Sequence, residues 1–191
     1  MEFSRTAIHD VVICQPKVFG DNRGYFLETF KQDLFEKFLG FSLGFCQDNE
    51  SKSNKGVLRG LHYQCAPYAQ SKLVRVIKGK ALDVVVDIRR GSPTFGKHIA
   101  IELSAQNKTQ LFVPRGFAHG FLVLEDETIF SYKVDSYYSP QNDRGVLFSD
   151  PALSIDWSLS ASELILSDKD KTNPLLNDAI DLFDYSINCY D

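Results

Sequence analysis

One short apolar stretch carries two side chains suited to chemistry on an anionic substrate. Residues 57–64 place His62 and Arg59 among apolar neighbours, in a run typical of a β-strand. Imidazole transfers protons near neutral pH, and a guanidinium group offers a fork of donors to phosphate oxygens. A strand with a hydrogen-bonded histidine and an arginine paired to a carboxylate would have the same pattern, so this stretch alone does not establish a function.

Three further polar residues lie within or beside apolar strand patterns: Lys72, His119 and Tyr132. A buried polar group is costly without a partner, so we expect these side chains to face a cavity. Strand alternation puts Tyr132 on the same face as Phe130, and His119 on the same face as Phe121. Each residue taken singly is equally compatible with an ordinary core position.

Glycine at position 60 bears on whether two of these groups can act together. Arg59 and His62 are three residues apart, which in a regular strand would place them on opposite faces. Gly60 permits a β-bulge, and a bulge would turn both side chains toward the same side.

The segments that must position these groups are short and regularly spaced. Turn signals recur about every ten residues through the middle of the chain, which predicts an all-β sandwich or barrel. A helix is expected over residues 31–39, with Gly40 ending it, and weaker helical patterns cover residues 160–166 and 174–183. Strands are expected at residues 73–77, 81–88, 98–103, 110–113, 119–124 and 128–134.

Composition limits the classes of function. The 191 residues predict one domain, with a net charge of -4 and no basic cluster that would indicate a nucleic-acid partner. No apolar run approaches the roughly 18 residues of a membrane span, and residues 1–12 do not form a signal peptide. The four cysteines, at positions 14, 46, 65 and 189, form no C-x-x-C pair, which favours reduced thiols in a cytoplasmic protein.

The histidines do not have the spacing of a transition-metal site. His119 ends a Pro-x-Gly-x-x-His pattern that metal cupins use, but such cupins also carry an H-x-H motif. Here the corresponding position offers only His62, followed by Tyr63 and Gln64. We therefore expect no bound metal.

The joint order of several motifs resembles a known family. The chain is similar, from about residue 6 to about residue 176, to the RmlC family of nucleotide-diphospho-4-keto-sugar 3,5-epimerases. The resemblance implies a cupin-type jelly roll with a few short peripheral helices, a homodimer, and no metal or other cofactor. It leaves residues 177–191 as a peripheral extension of the single domain 1–191. The motifs that carry it are residues 21–28, 47–49, 57–64, 72–75, 87–89, 92–96 and 113–121.

The resemblance also implies roles for particular residues. His62 would be the general base, with Asp170 as its carboxylate partner and Asp168 as a competitor for that role. Tyr132 would donate a proton from the opposite face, and Lys72 would lie beside the C4 oxygen. Such residues suit proton transfer at carbons that flank a ketone.

The remaining implied contacts are to the substrate. The expected reaction is epimerisation at C3 and C5 of a dTDP-linked 4-keto-6-deoxy sugar, for L-rhamnose or a related surface sugar. Alternatives are epimerisation of one carbon, keto-isomerisation, a GDP-linked substrate, or a non-catalytic sugar-binding cupin. The implied contacts are Arg23 and Arg59 at the diphosphate, Glu28, Gln47 and Asn49 at the nucleoside, His119 beside the sugar, and Asp48, Asp143 and Lys169 as further binding residues.

Overall fold

Two antiparallel sheets face each other and supply most of the structure. The computed structural model describes residues 1–190, and strands are numbered here along the chain. The six-stranded sheet has the spatial order β1 (Glu2–Arg5), β2 (Val12–Gln15), β11 (Gln110–Val113), β7 (Lys72–Lys78), β13 (Thr128–Val134) and β5 (Gln47–Ser53). The five-stranded sheet has the order β10 (His98–Ser104), β8 (Lys80–Asp87), β12 (Phe117–Val123), β6 (Leu58–Gln64) and β14 (Asp143–Gly145).

Smaller elements surround these sheets. A separate hairpin pairs β3 (Val18–Asp21) with β4 (Gly24–Leu27), and a short parallel pair joins β9 (Arg89–Arg90) to β15 (Phe183–Asp184). The helices are α1 (Gln32–Leu39) and α2 (Asp168–Lys171), with single 3-10 turns at Ala161–Glu163 and Leu176–Asp178. Among residues 1–190, no helix has the length and hydropathy of a transmembrane span.

Apolar side chains pack on both faces of each main sheet, because each sheet is partly covered on both sides. Between the sheets, Val74 and Phe130 of one meet Val85 and Phe121 of the other in a common core. A second cluster lies on the outer face of the five-stranded sheet, under the chain from residue 146 to residue 183. A third lies under α1 on the outer face of the six-stranded sheet. Strand β8 is therefore buried along nearly its whole length.

Helix α1 follows its predicted position. Its core residue Phe35 is fully buried and packs edge-on against Phe112 of β11, with ring centroids 5.2 Å apart. Gly40 ends the helix in the left-handed conformation, at φ 85°, and its backbone N–H donates to the carbonyl of Glu36. The helix expected over residues 31–39 is confirmed.

The prediction of an all-β, cupin-type jelly roll with a few short peripheral helices is confirmed. All seven predicted strands are present, as β6, β7, β8, β10, β11, β12 and β13. The helices expected over 160–166 and 174–183 are wrong in extent, since each segment contains only one 3-10 turn. These segments lie over the outer face of the five-stranded sheet, where their apolar side chains pack without needing helical periodicity.

Candidate active site

A bulge in β6 sets the direction of two side chains. The register of β6 against β12 shifts at this point, and Gly60 packs directly on Gly120. A Cβ at Gly60 would lie 2.5 Å from the Cα of Gly120, and the φ of Gly60 is +128°, which side chains rarely adopt. With this bulge, Arg59 and His62 both line one cavity, as the glycine predicted.

This cavity, of about 520 Å³, lies between the two sheets and receives side chains from both. The five-stranded sheet contributes Arg59, His62 and His119, and the six-stranded sheet contributes Lys72 and Tyr132. Helix α2 closes the cavity with Lys169 and Asp170. The groups expected to do chemistry are thus brought together from β6, β7, β12, β13 and α2.

His62 is hydrogen-bonded to Asp170. The Nε2 atom of His62 lies 2.5 Å from Oδ1 of Asp170, whose side chain is 3% exposed. Asp168, the competing candidate, is fully exposed and pairs with Lys171 instead. The structure therefore places Asp170 beside the histidine.

Asp170 is held by the start of its own helix. The hydroxyl of Ser167 donates to Oδ2 of Asp170 at 2.8 Å and accepts the backbone N–H of the same residue at 3.2 Å. Burial raises the pKa of Asp170, but hydrogen bonding and charge from His62, with the bond from Ser167, outweigh it and leave the pKa below its ordinary value. The carboxylate is therefore ionised at neutral pH.

Burial shifts the pKa values of Lys72 and Tyr132, the two groups on the six-stranded sheet. Burial lowers the pKa of Lys72 to about 8, although Asp143 and Asp83 oppose the shift. Burial also raises the pKa of Tyr132 above its ordinary value, with Asp143 adding to the effect and Arg59 opposing it. At neutral pH Lys72 is therefore mainly cationic, and Tyr132 retains its proton.

A second histidine–aspartate pair lies next to the first. His119 is the cross-strand neighbour of His62, and its Nε2 lies 2.9 Å from Oδ2 of Asp83, a fully buried carboxylate on β8. Burial lowers the pKa of His119 despite Asp83, so the ring is neutral at pH 7. Sequence reasoning missed Asp83, although a carboxylate between the apolar residues Leu82 and Val84 was a signal for it.

An adjoining cavity of about 270 Å³ shares His62, Lys72 and Tyr132 with the first. Gln47 and Asn49 line it, and their side chains are hydrogen-bonded to each other at 2.7 Å. On its other side, Asp143 accepts a hydrogen bond from the hydroxyl of Tyr138 at 3.0 Å and pairs with Lys169. The Asp143–Lys169 pair therefore joins the two cavities.

Three predicted binding residues lie elsewhere. Strand alternation places Asp48 on the face of β5 opposite to Gln47 and Asn49, and its carboxylate pairs with Lys133 at 2.8 Å. This geometry does not support the predicted contact of Asp48 with substrate. Arg23 is bonded to Asp21 within the exposed β3–β4 turn, and Glu28 is exposed just after that hairpin. Neither residue lines a cavity with His62.

Other expectations concern metals and thiols. Within residues 1–190, no three histidine, cysteine or acidic side chains are grouped as metal ligands. The four cysteines are all unpaired.

Comparison with known proteins gives a consistent result. Residues 5–178 match the family model described as dTDP-4-dehydrorhamnose 3,5-epimerase. A protein of that name from Shigella flexneri is 55% identical over 170 residues, covering 89% of this chain and 93% of the relative. Its counterpart from Escherichia coli strain K12 is 52% identical over 182 residues, covering 95% and 98%.

A solved structure has the same architecture. It is the dTDP-6-deoxy-D-glucose-3,5-epimerase RmlC from Legionella pneumophila in complex with dTDP-4-keto-L-rhamnose. Its TM-score is 0.93 at 46% identity, with 96% of this chain and 98% of that chain covered. From the family match, the close relatives and the shared fold, the chain belongs to the dTDP-4-dehydrorhamnose 3,5-epimerase family.

Proposed function

We propose that this protein is an isomerase that epimerises C3 and C5 of a dTDP-linked 4-keto-6-deoxy sugar. The relatives named for this activity align with nearly the whole chain. The observation that carries the proposal is the His62–Asp170 pair, which shares a cavity with Tyr132 and Lys72. The product would serve the synthesis of L-rhamnose or a related surface sugar.

His62 acts as the base through its free ring nitrogen. Because Asp170 accepts the hydrogen on Nε2, Nδ1 is left with a lone pair. That nitrogen removes the proton from C3 or C5, and the ionised Asp170 stabilises the imidazolium that results.

The electron pair from the broken C–H bond moves into the C4 carbonyl and forms an enolate. The ammonium group of Lys72 stabilises the negative oxygen, and the low polarity around this buried amine strengthens the interaction. The neutral ring of His119 offers a second polar contact at this end of the cavity.

Inversion requires a proton from the opposite side of the sugar. Tyr132 projects from the six-stranded sheet, whereas His62 projects from the five-stranded sheet. A sugar held between the sheets therefore meets the base on one face and the phenol on the other. Tyr132 gives its proton to the same carbon, which inverts that centre, and solvent then restores both groups.

The nucleotide diphosphate needs cations beyond the reacting sugar. Arg59 lies on the cavity wall, and within residues 1–190 its guanidinium makes one hydrogen bond, to the hydroxyl of Ser53 at 3.2 Å. This leaves most of its donors for phosphate oxygens. Gln47, Asn49 and Asp143 lie in the adjoining cavity, at positions suited to the nucleoside.

We propose a homodimer as the active form, which gives Arg23 a role. The β3–β4 hairpin pairs with no other strand in the described chain, and it exposes four large apolar residues. They are Val18, Phe19, Tyr25 and Phe26, which are 44% to 66% exposed. A second copy covers this apolar hairpin, and the hairpin carries Arg23 to the partner's diphosphate site.

The experiment is solvent exchange. The protein is incubated with dTDP-4-keto-6-deoxyglucose in deuterated water, and label is located by NMR and mass spectrometry. Deuterium at both C3 and C5, lost in His62→Ala, is the expected result. Label at a single carbon would instead indicate a mono-epimerase or keto-isomerase. No label would direct the test to GDP-linked keto sugars, and then to binding without catalysis. The cytoplasmic location and the absence of a metal stay predictions, the latter checked by activity in chelator.

A further inference from the structure

The chain beyond the matched family region continues as an ordered segment. The family model ends at residue 178, and residues 177–190, called here the C-terminal segment, run on across the molecule. The pairing of β15 with β9 fixes this segment, and the backbone N–H of Tyr185 donates to the carbonyl of Arg90 at 3.0 Å. It then reaches the six-stranded sheet at Tyr190.

Tyr190 is half-buried against the ends of the central strands. Its hydroxyl lies 2.8 Å from Oγ of Ser71 and accepts the backbone N–H of Arg115 at 3.1 Å. Its ring contacts Phe41, with ring centroids 4.5 Å apart. Burial raises the pKa of Tyr190 to about 12, so the phenol stays protonated across the physiological range.

The contacts of Tyr190 belong to a larger buried network. Asp135 accepts the backbone N–H of Ser71 at 2.6 Å through Oδ1, and Nε of Arg115 at 3.0 Å through Oδ2. Ser71 is fully buried, and the side chain of Asp135 is 1% exposed. Tyr190 completes this network, which joins the chain before β7, after β13 and after β11.

Lys72 is next to this network, both along the chain and in the sheet. It is the residue after Ser71, and it is paired in register with Val113 on one side and Val134 on the other. The three strands held by the network are thus the strand of Lys72 and its two neighbours. Since the side chain of Lys72 extends into both cavities, a shift of its backbone moves the ammonium group relative to the substrate oxygen.

From this geometry we infer that Tyr190 is a positioning residue for Lys72, through its hydrogen bond to Ser71. The inference rests on the proposed function, in which Lys72 stabilises the enolate oxygen. It assigns a contribution to the reaction to a residue outside the segment that defines the family. Misplacing a group by about 1 Å can lower a rate by about 100-fold, so a loosened strand end has a measurable effect.

The test is Tyr190→Phe, which keeps the ring and removes the hydroxyl. We expect kcat for solvent exchange to fall about tenfold while KM changes less than about twofold, since Lys72 acts mainly in the transition state. Tyr185→Phe is the matched control, because Tyr185 lies in the same C-terminal segment as Tyr190. Its ring contacts Arg89 of β9 rather than Ser71. That variant should keep wild-type kcat and KM.

A double-mutant cycle separates positioning from general destabilisation. Ser71→Ala should lower kcat to a similar extent. The double variant should be no slower than the slower single variant, because both substitutions remove the same hydrogen bond between Ser71 and Tyr190. Rates are measured well below the Tm of every variant, with circular dichroism confirming the fold. An unchanged kcat in Tyr190→Phe, an equal loss in Tyr185→Phe, or additive effects would overturn the inference. A wild-type protein without exchange would instead overturn the proposed function.

Discussion

The direction of the bond between Asp170 and His62 decides which nitrogen can act as base. Asp170 is ionised and fixed by Ser167, so it accepts from Nε2 and holds the ring in one tautomer. An amide in its place could donate as well as accept, and the ring could then turn its hydrogen toward the substrate. Removing the negative charge also removes the stabilisation of the imidazolium.

We therefore expect Asp170→Asn to lower the rate of deuterium exchange by about 10³- to 10⁴-fold, as for a carboxylate that orients a catalytic histidine. Asp168→Asn is the matched control two residues earlier, because that side chain is fully exposed and pairs only with Lys171. The control should exchange at the wild-type rate. Equal losses in the two variants would contradict the assignment of Asp170.

The lowered pKa of Lys72 leads to a prediction about the pH dependence of the exchange rate. Its amine is cationic below its pKa of about 8 and neutral above it, so stabilisation of the enolate is lost as pH rises through that value. We expect kcat/KM for exchange, which reports groups of the free enzyme, to fall on the alkaline side with a midpoint near the same pH. The measurement is a pH profile of exchange at substrate concentrations well below KM.

Lys72→Met serves as the control for that profile. It should lower kcat by about 10²- to 10³-fold, as for loss of one donor to a developing oxyanion, and abolish the alkaline limb. If Lys72→Met still lost activity at alkaline pH, that pH dependence would belong to another titrating group.

At the scale of elements, the bulge in β6 is the feature on which the site depends. Gly60 lies against the backbone of β12, so its bulge cannot be moved without separating β6 from β12. The positions of Arg59 and His62 follow from this close approach. A change here acts on the whole strand pair rather than on one side chain.

Gly60→Ala should lower the free energy of unfolding by about 1–3 kcal/mol, because the new Cβ would meet Gly120 and the backbone would be strained. Gly91→Ala is the control, since Gly91 also has a positive φ but has no atom within 4 Å of an added Cβ. Urea unfolding measures both variants. If Gly60→Ala lowered the free energy of unfolding no more than Gly91→Ala does, the expectation would be wrong, because β12 would have moved to make room for the added Cβ.

Sequence patterns predicted the buried elements better than the polar ones. Strand β13 was predicted at its observed bounds because apolar residues alternate along it. Strand β5 was not predicted, since its sequence QDNESKS is almost wholly polar and it is held by pairing with β13. Helix α2 is a single turn with no apolar periodicity, and only its hydrogen bonds reveal it.

The same division applies to the candidate site. The type and order of residues indicated His62, Lys72, Tyr132 and His119, all of which line the first cavity. Neither the choice between Asp168 and Asp170 nor the partnership of Asp83 could be read from the sequence. Both depend on the distance between segments that are far apart along the chain.

At the scale of the whole molecule, the apolar β3–β4 hairpin predicts how copies associate. Phe26 is 66% exposed on this hairpin, and covering such a side chain contributes to stable association. Phe26→Asp should convert the proposed dimer to monomer, measured by light scattering after size exclusion. Exchange activity should fall with it, because Arg23 no longer reaches a partner's site.

Ile180→Asp is the control for that experiment. Ile180 is 88% exposed but lies in the C-terminal segment and not on the hairpin. It should leave the dimer and the activity intact. A monomeric wild-type protein with full activity would contradict the role given to Arg23.

The long separation in sequence between His62 and Asp170 has a consequence during synthesis. His62 and Asp170 are 108 residues apart along the chain, and Ser71 and Tyr190 are 119 apart. At a translation rate of about 5–20 residues per second, His62 leaves the ribosome roughly 5–20 s before Asp170. A nascent chain therefore exposes His62 without the group that orients it. The His62–Asp170 pair therefore forms late, after most of the polypeptide has been made.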